Sequence, residues 1–200
     1  MTWVKVCGLT APEHVAAAEA AGADAVGFVL VPGSPRAISE DEVAGLIDHT
    51  SVTSVLLTLD RTPSELLALV TRLRASAVQP YGDYAAAASA AAGEAGLMVL
   101  RPIAADQIPS APLVPAGEIP LIDHRSDGRL GGTGQAFDWA LLAGLDRQIV
   151  LAGGLHPGNV TGAIRAARPW GVDASSGLES SPGVKDTGLI ETFIKRAKRA

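Results

Sequence analysis

Hydrophobic and polar positions set up a repeating rhythm of strands and helices along the chain. Over residues 2–8 the alternation has the two-residue period of a strand, which puts Trp3, Lys5 and Cys7 on one face and Val4 and Val6 on the other. Apolar runs at 24–30, 52–59, 76–79, 97–100, 119–123, 148–152 and 171–175 read as seven further strands. Helical patterns lie between them. Residues 11–21 form one, with Thr10 as its N-cap and Pro12 in the first turn. Ser39 with Glu42 three residues later makes a capping box for a helix ending near residue 48, and Thr62, Pro63 and Glu65 open another that runs to about residue 74. An alanine-rich helix follows at 83–95, then helices near 139–143, at about 157–167 and at 187–199. The stretch 101–117 carries Pro102, Pro109, Pro112 and Pro115 and has room for a short helix at most.

Eight strands alternating with seven or eight helices predict a parallel α/β fold, best met by a closed (β/α)₈ TIM barrel, a single domain over residues 1–200. An open doubly wound sheet is the structural alternative. The connections must be compact, because 200 residues is the short end for such a barrel. No linker or shift in composition divides the chain. The net charge of −5 and pI near 5.3 argue against nucleic acid as a partner. An anionic substrate must therefore be held by local donors. One cysteine cannot form an internal disulfide, and neither a signal-peptide pattern nor a long apolar run is present, so a cytoplasmic protein with no membrane partner is expected.

Candidate chemistry gathers at the strand ends, which meet around one mouth in such a barrel. Strand one ends in Cys7, strand six in Asp123, and the proline-braced loop after strand two carries Arg36. Each has an ordinary reading too: a small buried thiol, a turn aspartate, a solvated loop charge. Gly153 and Gly154 after strand seven, with Ser175, Ser176 and Gly177 after strand eight, expose backbone N–H groups where barrels often bind phosphate, although the two glycines could simply make a tight turn. The local pattern suits a phosphosugar synthase or an aldolase-like enzyme as well. Lys5 shares the face of Cys7, about 6.6 Å lower. A buried ammonium needs a partner, and Asp173 and Asp24 are the candidates unless the side chain snorkels to the barrel floor. Paired, it would favour the Cys7 thiolate.

Several runs then resemble one family over nearly the whole chain and in its order: Val4-Lys-Val-Cys-Gly-Leu-Thr10, Ala21-Gly-Ala-Asp-Ala-Val-Gly-Phe28, Ser34-Pro-Arg-Ala-Ile-Ser39, Leu121-Ile-Asp123 with Gly131-Gly-Thr-Gly134 and Phe137-Asp-Trp139, Leu151-Ala-Gly-Gly-Leu-His-Pro-Gly-Asn-Val160, and Val172-Asp-Ala-Ser-Ser-Gly-Leu-Glu179 followed by Pro182-Gly-Val-Lys-Asp186. Together they resemble phosphoribosylanthranilate isomerase. The resemblance implies a (β/α)₈ barrel that performs an Amadori, aldose-to-ketose rearrangement of a phosphorylated small molecule, N-(5-phosphoribosyl)anthranilate, in tryptophan biosynthesis. By position it implies Asp123 as general acid, Cys7 as general base, Arg36 as the ligand of the anthranilate carboxylate, and Gly153, Gly154, Ser175, Ser176 and Gly177 around the phosphate. It implies no metal or organic cofactor, because the substrate nitrogen supplies its own electron sink, and a monomer or homodimer.

The chain also departs from the family pattern. Where the family usually shows Gln-Leu-His-Gly after strand four, this chain has Gln79-Pro80-Tyr81-Gly82, which sets a phenol in the histidine's place. Strand three ends Leu57-Thr58-Leu59-Asp60, in place of the usual Phe, Val and Asn. Two alternatives stand beside the resemblance. One is a two-substrate isomerase that also serves the histidine pathway; that type usually carries an aspartate at the end of strand one, against which Cys7 argues. The other is a phosphosugar-binding barrel that has lost turnover, against which the retention of both Cys7 and Asp123 speaks.

Overall fold

Strand β1 (Trp3–Cys7) is one stave of a closed barrel, paired on both sides. The computed structural model describes residues 1–104, 114–123, 139–142 and 148–200. Around the barrel follow β2 (Ala25–Val29), β3 (Thr53–Leu59), β4 (Ala77–Tyr81), β5 (Met98–Ala104), β6 (Glu118–Asp123), β7 (Val150–Leu151) and β8 (Gly171–Ala174). Every neighbouring pair is parallel, and β8 returns to β1 with Lys5 opposite Asp173. Closure rules out the open sheet. The helices described are α1 (Pro12–Ala21), α2 (Glu40–Ile47), α3 (Pro63–Leu73), α4 (Ala85–Glu94), α5 (Val160–Ala167) and α6 (Thr187–Lys198).

Strand alternation divides the core in two. Outward residues such as Val4, Val6, Val26 and Phe28 pack in one cluster with Val15 and Ala18 of α1 and with Ile190, Phe193 and Ile194 of α6. Inward residues, among them Cys7, Ala25, Val55, Ala77, Leu100, Leu121 and Val150, fill the barrel itself. Trp3 and Trp170 stack at the N-terminal end of the barrel, their ring centroids 4.9 Å apart.

The expected capping box of α2 forms, and the expected start of α3 carries a second one. Ser39 and Glu42 bond reciprocally at the start of α2, and Thr62 and Glu65 do so at α3. Other expectations are corrected. Ala11, not Thr10, is the N-cap of α1, and no side chain caps it; Pro12 at the first helical position has no N–H to leave unpaired. β4 runs on through Pro80 to Tyr81. The missing N–H of Pro80 costs nothing towards β5, whose pairing with β4 stops at Val78. β5 extends through Pro102 to Ala104, pairing with β6 along its length. β7 is only Val150–Leu151, and α5 starts at Val160, after a turn in which the Asn159 side chain accepts from the His156 N–H and donates to the Gly154 carbonyl. Trp139–Leu142 is a 3₁₀ turn. The glycine-rich run 127–134 and most of the proline-rich stretch, at 105–113, lie outside the described residues. Beyond β8 the chain makes a small hairpin, β9 (Glu179–Ser181) and β10 (Val184–Lys185), which the sequence reading treated as loop.

Candidate active site

The strand C-termini open into a cavity of about 870 Å³. Cys7, Arg36, Asp123, Ser175 and Ser176 all line it, so five of the eight residues expected at the site come together. Gly153, Gly154 and Gly177 stand beside it and are not part of its wall. Gly153 and Gly154 both take left-handed φ angles, of 81° and 66°, in the turn after β7. Gly177 lies against that turn: a side-chain carbon there would sit 2.1 Å from the Leu155 carbonyl oxygen. The loops after β7 and β8 are therefore in contact.

Cys7 sits at the inward tip of β1, 4% exposed. Below it Lys5 is wholly buried and donates from Nζ to Asp173 Oδ2 at 2.8 Å. This settles the choice of partner, because Asp24 instead accepts from the Val4 N–H and pairs with Lys198. Gly27 makes the stack possible: a side-chain carbon there would stand 3.0 Å from Cys7 Sγ and 3.1 Å from Lys5 Cε. Burial pushes the Cys7 thiol up; the charge of Lys5 pulls it part of the way back, that of Asp173 pushes it up again, and Lys185 lowers it more weakly. Burial acts to lower Lys5, but Asp173 and Cys7 outweigh it and hold the ammonium above its ordinary value.

Arg36 is not free in its loop. Its Nε and Nη2 donate to the two carboxylate oxygens of Glu179 at 2.6 and 2.8 Å, a two-pronged contact. That uses one side of the guanidinium and leaves the end formed by Nη1 and the second N–H of Nη2. Glu179 also accepts from Lys185 Nζ at 2.6 Å and from the Gly183 N–H at 3.2 Å. Lys185 in turn donates to the Ser175 carbonyl and hydroxyl, and that hydroxyl donates to the Cys7 carbonyl at 3.0 Å. The Ser175 side chain is thus engaged within the barrel rim. Gly8 completes the joint: with φ of 74°, it has no side chain where Arg36 Cδ would be only 2.6 Å away.

Glu179 and Lys185 stood in the motifs but were given no role. Two charges flanking Pro182-Gly183 in a Ser-rich loop were the signal available. Burial acts to raise Glu179, but hydrogen bonds and charge from Arg36 and Lys185 outweigh it and hold the carboxyl below its ordinary range. A lowered folded-state value means that the stabilisation is fully present above the unfolded glutamate value, about 4.3, and is lost as pH falls through the folded value. Glu179→Gln is therefore expected to unfold at lower temperature than the wild type at pH 6–8 and to converge with it in acid. Melting curves across that range check this.

A closed parallel barrel with its cavity at the C-terminal strand ends, one wall bearing a thiol above an ion pair and another an arginine held by a carboxylate, defines a (β/α)₈-barrel enzyme. Sequence comparison narrows the class. The family described as N-(5′-phosphoribosyl)anthranilate (PRA) isomerase matches residues 4–196, and the chain belongs to that family. It is 39% identical over 200 residues to the N-(5′-phosphoribosyl)anthranilate isomerase of Pseudomonas fluorescens (strain Pf-5), covering 98% of this chain and 95% of the relative. Among solved structures it is similar to phosphoribosyl anthranilate isomerase from Thermotoga maritima, with TM-score 0.88, 32% identity and full coverage of both chains. A phosphoribosyl anthranilate isomerase solved in complex with reduced 1-(o-carboxyphenylamino)-1-deoxyribulose 5-phosphate matches with TM-score 0.84 and 31% identity, again covering both chains completely.

Proposed function

We propose that this enzyme isomerises N-(5′-phosphoribosyl)anthranilate to 1-(2-carboxyphenylamino)-1-deoxyribulose 5-phosphate, with Asp123 as acid and Cys7 as base. The observation that carries the assignment is their place in one cavity, at the ends of β6 and β1, with Arg36 on its rim. Asp123 protonates the ribose ring oxygen as the C1′–O4′ bond breaks, and the nitrogen lone pair forms the C1′=N iminium. Cys7 removes the proton on C2′. The C–H electron pair becomes the C1′=C2′ double bond, and the iminium electrons return to nitrogen. The resulting enolamine takes a proton at C1′ and loses one from its C2′ hydroxyl, giving the ketone. Nothing is oxidised or reduced overall, and the iminium is the electron sink.

The free end of the Arg36 guanidinium suits the anthranilate carboxylate. The phosphate is assigned to backbone N–H groups around Gly153, Gly154, Ser176 and Gly177, together with the backbone of Ser175, whose hydroxyl is already committed. Glu179 positions Arg36 for the carboxylate. Glu179→Gln is expected to raise KM about tenfold, the scale of one hydrogen bond to a charged group, with kcat much less affected.

Among the described residues no helix is long and apolar enough to cross a membrane. A cytoplasmic enzyme of tryptophan biosynthesis, acting on a phosphorylated small molecule and not on nucleic acid, fits this chain. Steady-state assays test the function. Turnover of N-(5′-phosphoribosyl)anthranilate without turnover of the histidine-pathway aminoimidazole substrate is expected. A folded protein that binds phosphorylated ligands and turns over neither would be a binding barrel.

A further inference from the structure

The wall of the cavity formed by β4 carries a polar pair with no part in the acid–base steps. Gln79, 2% exposed, and Tyr81 both point inward, and the Gln79 carboxamide nitrogen donates to the phenol oxygen at 2.7 Å. Two hydrogen-bonding capacities are left over. The phenol oxygen is occupied as acceptor, so its own proton is free to donate. The Gln79 carboxamide oxygen is buried and has no hydrogen-bond partner among the described residues. A buried acceptor of this kind is costly unless something meets it.

One free donor beside one free acceptor is the complement of a hydroxyl, which takes one hydrogen bond and gives another. A carboxylate or phosphate oxygen has no proton to offer the Gln79 oxygen and would meet it with repulsion. We propose that Tyr81 and Gln79 bind the C2′ hydroxyl of the substrate's sugar chain, the phenol donating to it and the carboxamide oxygen accepting from it. The inference rests on the isomerase reading and adds to it the residues that hold the reacting carbon. The position agrees: burial first, then the charges of Asp123 and Cys7, drive the Tyr81 phenol well above its ordinary value, so it stays protonated and lies within the fields of both reacting groups. Each role needs the other residue, because it is the carboxamide nitrogen on the phenol oxygen that turns the phenol proton outward.

The test uses two ligands. The reduced product, which has a hydroxyl at C2′, is compared by calorimetry with its 2′-deoxy counterpart. Wild type is expected to bind the reduced product about tenfold more tightly than the deoxy ligand, the scale of an unmade hydrogen bond. Tyr81→Phe, which removes one oxygen and leaves the ring, is expected to abolish that preference while binding the deoxy ligand as wild type does. Gln79→Met should do the same. Equal loss of affinity for both ligands in Tyr81→Phe, or an intact preference, overturns the proposal and leaves the isomerase reading standing. A wild type that binds neither ligand removes the isomerase reading, and this site with it.

Discussion

Cys7→Ser and Asp123→Asn are each expected to lower kcat by about 10²- to 10⁴-fold while the barrel stays folded, the range that one positioned acid or base supplies. Both changes nearly preserve shape. Serine exchanges a buried thiol for a hydroxyl whose conjugate base is out of reach near neutral pH, and asparagine keeps the planar group of aspartate without its proton. The proposed roles also fix a proton count. The reactive pair holds one proton, on the Asp123 carboxyl, and leaves the thiolate bare. Burial pushes the Cys7 thiol up, against the bare thiolate that the reactive pair needs. The reactive form is therefore one microstate of the singly protonated pair. It follows that kcat/KM should be bell-shaped, falling in acid where the pair takes up a second proton and in base where it loses its shared proton, above the ordinary thiol range. A kcat/KM that climbs tenfold per pH unit through pH 7 would mean that Cys7 titrates alone and would break the pairing with Asp123. The iminium helps at the step that matters: once the ring opens, a positive charge stands one carbon from the proton that Cys7 removes, and it favours the thiolate.

Most of the barrel was legible because its strands and helices are locally self-consistent. Helix-start signals at Ser39 and at Thr62 with eight apolar runs gave the order of elements, and the alternation of Trp3, Lys5 and Cys7 against Val4 and Val6 gave the inner face of β1. Strand lengths were less legible. Pro80 and Pro102 read as ends, yet a proline needs only a position where no ladder bond is asked of its nitrogen, and pairing registers do not show in one sequence. In the site, the residues with unusual chemistry at strand tips stood out. Their supports did not. Glu179 and Lys185 are brought under Arg36 and Ser175 by a hairpin after β8, and Gln79 meets Tyr81 only because β4 continues past Pro80. Such contacts come from where the strands stop, which the hydrophobic pattern specifies weakly.

Lys5→Met is expected to cost about 3–5 kcal/mol of stability, because it leaves Asp173 as a buried carboxylate without its ion partner. For a chain of this size that is a fall in melting temperature of roughly 6–20 °C. The sign of the pH dependence follows from the raised folded-state value of Lys5. Its contribution is fully present below the unfolded lysine value, about 10.4, and is lost only as pH rises through the higher folded value, so the gap from wild type should stay constant over pH 6–9. The double variant Lys5→Met/Asp173→Asn removes both charges and should recover much of the lost stability. It should recover only part of the effect on Cys7, because Asp173 itself pushes the thiol up. Lys5 is the main group pulling the thiol down against burial, and without it the thiol must rise further. Alkylation of Cys7 measured against pH should therefore shift to higher pH in both variants, further in Lys5→Met, where the charge of Asp173 still pushes the thiol up, than in the double variant, with a matching loss in kcat. This separates holding the barrel together from setting the base: a thiol titration unchanged in both variants would leave Lys5 a structural role alone, and the proposed base would have to draw its reactivity from the substrate's iminium.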